Sequence, residues 1–473
     1  MPLSKKENNP YRLVALPSDG RKKEDLEKKQ MHERFQGISG MIQAEILTLT
    51  PLIIGGRKNP EQAQEYKEDN EKSFMHNPEN KLPLIPGASL KGVIWTLYEM
   101  LTGSEKACKA IFGDMHRSDP KGNFKGNVYF SDAVIDVQSS VQNITVDKLS
   151  LITTVLGSPK KTHTAFYQDE RSQRKLYHHQ PKVNSTSSLR KEGADKVQTP
   201  LYPLPANCRF TFSVHFKNLN AAQLASFMRC LFLPQGLCHK IGGGKSVGAG
   251  SVHIQPLSIK ICPDKQQLYR GKQKPQEFQD AQACLEEIER RTQGINFTEE
   301  IQKMLLWRSD DKNQYDYPDY GWFKKNSQVG LKSINDVYPQ NLQEEIPLAQ
   351  KQIQKRWQDN QSMVQAARKI QEEKQAQAQK QAAFAALSPL EQAMQQWKTK
   401  EDSAKLEYLY SPEKLKISNL DPKEFQKAVL AYYQSEQPDK CKDWKKSHKK
   451  GKGPWEKICK IAQETGIAGF VKE

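Results

Sequence analysis

The chain has 473 residues, too many for one ordinary hydrophobic core, so two or more units are expected. Its 72 Lys and Arg against 55 Asp and Glu leave a net charge of +17, which points to a polyanionic partner, nucleic acid first. No apolar run reaches membrane-spanning length and the first 30 residues are polar and charged rather than a signal sequence, so a cytoplasmic protein with no membrane partner is expected.

None of the 8 cysteines forms a C-x-x-C pair, and their spacing fits no zinc pattern, so reduced thiols and no zinc are expected. Residues 1–37 are charged and poor in large apolar side chains, reading as a flexible arm or a peripheral strap. Ile42, Ala44 and Ile46 then alternate with polar residues as a strand does, up to Pro51 and the pair Gly55-Gly56. Residues 57–81 follow as a polar, acid-rich loop that includes Asp69 and Glu71.

The stretch Leu82 to Gly92 organises what comes next. Pro83 and Pro86 favour extended backbone, Ser89 stands where an N-cap belongs, and Leu90, Val93, Ile94, Leu97 and Leu101 form one apolar helix face. Open N–H groups at that helix start, with Lys91 in the first turn, suit a phosphate; a tight turn into a core helix is the plainer reading. A short strand from Asn127 to Ile135 follows.

Residues 145–200 form a basic insertion. Lys160, Lys161, Arg171, Arg174, Lys175, His178 and His179 are interleaved with Phe166, Tyr167 and Tyr177, a mixture that places charges on phosphates and rings on bases of a single strand. A solvated loop held down by its aromatics is the alternative. Phe210, Phe212, Val214 and Phe216 then alternate in a clear strand, and Asn220 caps a helix that buries Leu224, Phe227, Met228 and Leu231.

Between His239 and Gly250 lies a glycine-rich turn. Lys240, Gly243, Gly244, Lys245 and Ser246 suit an anion approached by backbone amides and backed by lysines; a flexible hairpin is the other reading. A P-loop is excluded, because its frame puts His239 where the first glycine must stand and a strand, not a helix, follows. From Ile38 to Ile254 the order is βαβ, basic insertion, βαβ, an α+β ferredoxin-like or RRM-like layout within a domain spanning 38–340. Residues 341–387 read as a helical linker, and 388–473 as a small all-α domain opened by the capping box Ser388-Pro389-Leu390-Glu391.

Four segments together carry a family resemblance: Leu84 to Gly92, Phe112-Gly113-Asp114, Val128 to Ala133, and His239 to Gly250. They resemble the RAMP superfamily of CRISPR systems, as backbone subunits of type III effector complexes. Arg174 to His179 resembles a segment of a subgroup from variant, III-D-like systems. The resemblance implies an RRM-like domain that binds guide RNA (crRNA) and complementary target RNA, beside other RAMP subunits and a large signature subunit. It makes the basic insertion a thumb that intrudes between guide and target. In target-cutting members an aspartate in the loop before the Ile-Pro-Gly motif acts with Mg2+ or Mn2+. Here that place falls at Glu71, with Asp69 two residues earlier. Two alternatives stay open: a stand-alone nuclease that processes guide precursors, with His239 or His178 as general base, and a non-cleaving end-cap.

Overall fold

Phe210, Phe212, Val214 and Phe216 point to one side of a long strand, and that side is the core. The computed structural model describes residues 9–17, 23–55, 79, 82–115, 122–136, 152–155, 172–183, 198–201, 203–309, 315, 322, 325–326, 329–338, 340–449 and 453–471. By its contacts the chain divides into one unit of residues 1–367 and another of residues 368–473.

The central sheet of the first unit has eight strands: β1 (Ile38–Thr48), β2 (Leu84–Ile85), β3 (Val128–Phe130), β4 (Ala133–Ile135), β5 (Arg209–Leu219), β6 (His239–Lys240), β7 (Ser251–Cys262) and β8 (Gln276–Phe278). They run β6–β7–β1–β5–β4–β2, with β8 also beside β7 and β3 also beside β5, and every pairing is antiparallel. Phe212 sits opposite Ala44, and Ile254 opposite Ile46. A one-residue slip would turn these side chains into solvent, so burial fixes the register.

Helices α1 (Gly87–Thr102), α2 (Glu105–Phe112), α3 (Ala221–Leu231) and α4 (Ala281–Thr292) belong to the same unit, and Leu90, Ile94, Leu97 and Leu101 of α1 are buried in its core. Asn220 and Gln223 form the capping box of α3. The start of α1 differs from the sequence reading: it begins at Gly87 after Pro86, and Ser89 makes no cap. Asp132 supplies the cap from outside the helix, its Oδ1 accepting from the Gly87 N–H at 2.7 Å. The Ser89 and Leu90 N–H groups turn back to the Pro86 carbonyl.

Tyr11–Ala15 pairs antiparallel with Gln173–Tyr177, and Tyr11 and Val14 are buried, so the described part of the amino-terminal arm is a strap. Trp307, Tyr315 and Tyr338 pack into the same core. A long helix, α5 (Leu342–Ala385), covers most of the stretch expected as a linker, but Leu342, Ala349, Ile353 and Trp357 bury its opening turns in the first unit.

Beyond α5, Ser388 and Glu391 close the expected capping box on a helix at Pro389–Lys398. Helices at Asp402–Tyr410, Pro422–Glu436, Pro438–Lys449 and Trp455–Thr465 follow. Trp397, Phe425, Val429, Tyr433 and Ile458 give these helices a core of their own.

Candidate nucleic-acid interface

A cleft of about 410 Å³ opens between α1, the strand Gln173–Tyr177 and the glycine turn after β6. Ser89, Gly92 and Thr96 form its α1 wall, and Lys175 and Tyr177 form the second. Lys240, Gly242 and Lys245 form the third, while Leu97, Leu176, Ile241 and Leu305 supply apolar surface. Three lysines therefore line a cavity that has no Asp or Glu among its described lining residues. Such a cavity favours an anion.

The charge state follows from this burial. Desolvation, with the neighbouring Lys245 adding to it, pulls Lys240 down to about 7, and desolvation also lowers Lys245. Lys240 Nζ donates to the Gly248 carbonyl at 3.2 Å and to Ser251 Oγ at 3.0 Å. Lys175 Nζ lies 3.7 Å from the centre of the Tyr11 ring and 5.0 Å from that of Tyr177, two cation–π contacts that hold it at the cleft wall.

The glycine turn works differently from the amide cradle expected of it. The Gly243 N–H donates to the Ile53 carbonyl, that of Gly250 to Pro51, and those of Val247 and Ala249 to Gly244. Its glycines answer to crowding. Gly242 has φ +82°, and a Cβ there would sit 2.2 Å from the Ile53 carbonyl oxygen; at Gly250 the corresponding distance to the Ile241 oxygen is 2.0 Å. The turn is pressed onto residues 51–53, and the lysine side chains rather than these amides supply the positive charge. The same holds at α1, where Asp132 takes the Gly87 N–H.

The residues singled out by sequence divide into three groups. Ser89, Lys175, Tyr177, Lys240 and Lys245 meet at the cleft. Lys91, Arg174, His178, His179, Gly243, Gly244 and Ser246 are not among its lining residues. Lys91 Nζ instead donates to the Phe112 carbonyl at 2.6 Å, and burial lowers its pKa. Arg174 embraces Glu99, a buried carboxylate of α1, with Nε to Oε2 at 2.7 Å and a second contact from Nη2 to Oε1; the hydrogen bond to Glu99 raises its pKa. His178 is buried and stacked on Tyr315 at 4.1 Å, and His179 Nδ1 lies 3.0 Å from Ser251 Oγ. Burial holds both imidazoles neutral, well below the usual histidine range. Asp69, Glu71, Lys160, Lys161 and Arg171 lie outside the described residues.

His239, the other candidate base, is also buried; its Nε2 donates to the Cys230 carbonyl at 2.9 Å, and desolvation lowers it to about 4. Among the described residues no group of three or more His, Cys, Asp and Glu side chains is arranged to hold a metal ion, and no helix is long and apolar enough to cross a membrane. Sequence reasoning missed Tyr11, because its role appears only when the arm pairs with a strand about 160 residues away. Lys175 and Tyr177 were legible as a pair: two residues apart in a strand, they share a face.

Residues 45–253 match the family model described as the RAMP superfamily, a span that includes α1, the strand Gln173–Tyr177 and the glycine turn. No curated protein matches the chain. Among solved structures, a chain from the cryo-EM structure of the type III-B Cmr-beta bound to cognate target RNA is 19% identical, over 48% of this chain and 61% of that chain, with a TM-score of 0.27. This chain thus spans less than two thirds of that chain's length, and the superposition is too loose to argue from.

Proposed function

We propose that the chain is a backbone subunit of a type III, III-D-like CRISPR effector complex, holding crRNA at the cleft of its RAMP-superfamily region. The observation that carries this reading is the cleft itself: Lys175, Lys240 and Lys245 line a cavity with no acid among its described lining residues, and Tyr177 stands on its wall. Phosphodiesters satisfy the lysines, and a tyrosine ring offers a base a stacking surface that is tolerant of sequence. The match over residues 45–253 supports the family assignment. The strand order supports a ferredoxin-like core: β7, β1, β5 and the β3–β4 pair lie side by side and antiparallel, with α1 following β1 and α3 following β5 in the chain.

In this reading residues 145–200 are the thumb, and complementary target RNA pairs with the guide beside other RAMP subunits and the large signature subunit. Asp69 and Glu71 then supply one target-RNA cleavage site with Mg2+ or Mn2+. The all-α part at 388–473 is an assembly element of the complex. Among the described residues His178 and His239 are buried and do not line this cleft, which favours the backbone-subunit reading over the guide-processing nuclease.

Titration of the full chain with single-stranded RNA tests the reading. Lys175→Glu and Lys245→Glu each weaken binding and flatten its salt dependence, by about 0.7 in log–log slope per lost phosphate contact. Unchanged affinity in both variants would place RNA elsewhere. In the assembled complex, Asp69→Ala with Glu71→Ala removes one cut from the target-RNA ladder while binding persists; an unchanged ladder shows that these acids are inert.

A further inference from the structure

We propose that Lys240 is a proton-linked contact: its amine takes up one proton as a phosphodiester enters the cleft, so that RNA binding here is coupled to proton uptake. This rests on the reading of the cleft as an RNA-phosphate site.

The geometry is the starting point. Lys240 Nζ already donates to two internal acceptors, the Gly248 carbonyl and Ser251 Oγ. A neutral amine has two N–H bonds, so both are engaged and its lone pair is left for the cleft that Lys240 lines. An ammonium group has a third N–H, which needs an acceptor from within that cleft. The hydroxyl of Ser251 is itself held, its Oγ 3.0 Å from His179 Nδ1. The amine is thus fixed by partners that do not require its charge.

The surroundings explain why the amine gives up that charge above about neutral pH. On its own strand and just before it stand His239, neutral through burial, and Cys238, whose thiol burial keeps protonated. The glycine turn contributes Lys245, and the strand Gln173–Tyr177 contributes Lys175 across the cleft. Behind lie His178 and His179, both neutral through burial, with Arg12 and Arg308 adding positive charge around them. Arg308 is paired with Glu345, its Nη2 2.8 Å from Oε2. Desolvation first, with the charge of Lys245 adding to it, takes the amine to about 7. A phosphodiester, ionised throughout this range, supplies the missing negative charge and pulls the amine back up.

The sign follows by linkage. Below about 7 the amine is protonated with or without RNA, so affinity does not change with pH. Above it, the RNA-bound chain holds one proton more than the unbound chain, and Kd rises about tenfold per pH unit until the bound amine also titrates.

The test uses the full chain and oligoadenylate, whose bases and phosphates do not titrate near neutral or mildly alkaline pH. Calorimetric titration at about pH 8, in buffers of different protonation enthalpy, reads the number of protons taken up. The expected result is close to one per bound strand, with Kd rising as stated. Lys240→Arg, which stays charged, binds with no uptake and a flat pH profile, and thermal melting checks that it folds. Absence of uptake by the wild-type chain, with Lys175→Glu and Lys245→Glu still weakening binding, overturns the proton link and leaves the cleft reading standing. Uptake that persists in Lys240→Arg assigns the proton to another group and also overturns it. If neither glutamate variant weakens binding, the cleft reading itself fails.

Discussion

Arg174, a candidate RNA contact by sequence, ties the basic strand to α1. Its guanidinium makes a two-pronged contact with Glu99, whose side chain is 1% exposed against 26% for the arginine. Replacing Arg174 with Met leaves a carboxylate buried in the face of α1 without its cation. Breaking a fully buried pair in this way costs about 3–5 kcal/mol, and the arginine's partial exposure lets water reach the site, which favours the lower end, about 3 kcal/mol. At a slope of about 3 kcal/mol per M this moves the urea midpoint by about 1 M. Hydrogen exchange at α1 amides through a urea series reads this helix without contribution from residues 368–473. The double variant Arg174→Met with Glu99→Leu recovers most of the loss, because the buried charge goes with its partner. A single variant that keeps the wild-type midpoint but loses RNA affinity refutes the structural role and returns Arg174 to the RNA surface.

Four further outcomes follow from the same geometry. Gly242→Ala destabilises the first unit by about 1–3 kcal/mol in denaturant titration, since its Cβ meets the Ile53 carbonyl and its φ is positive. Gly92→Ala, on the exposed side of α1 with nothing within 4 Å of the added carbon, leaves stability level or raises it by up to about 1 kcal/mol. Tyr11→Leu removes the ring under Lys175 and weakens RNA binding by about 0.5–2 kcal/mol in the same calorimetric assay. Trp397→Ala opens the core of the second unit at a cost of about 3–5 kcal/mol, seen as early melting of the 389–465 helices, while RNA affinity at the cleft persists.

Much of the scaffold was legible because local periodicity and burial agreed. The Phe210 to Phe216 alternation, the Asn220 cap and the Ser388 capping box are each written within a few residues and appear as read. Misreadings arose where a distant group intervened. Ser89 has the side chain of a cap, yet Asp132 caps α1 from across the turn, because the helix starts two residues before Ser89. The glycines after His239 look like an amide cradle, and most of that turn's placed amides instead meet internal carbonyls. The stretch from Leu342 looks thin in apolar residues, yet four well-spaced side chains suffice to bury its first turns.

By itself the sequence determined the parts list: a large positive excess, two glycine-marked turns, and lysines interleaved with aromatics, all readable because charge and period are local properties. Only the tertiary structure decided what the described candidate cations meet. Lys91 and Arg174 meet a carbonyl and a carboxylate that lie 21 and 75 residues away, whereas Lys175, Lys240 and Lys245 converge on one cavity with no acid among its described lining residues. Electrostatic availability depends on what desolvates and faces a group in space, and chain order does not encode that directly.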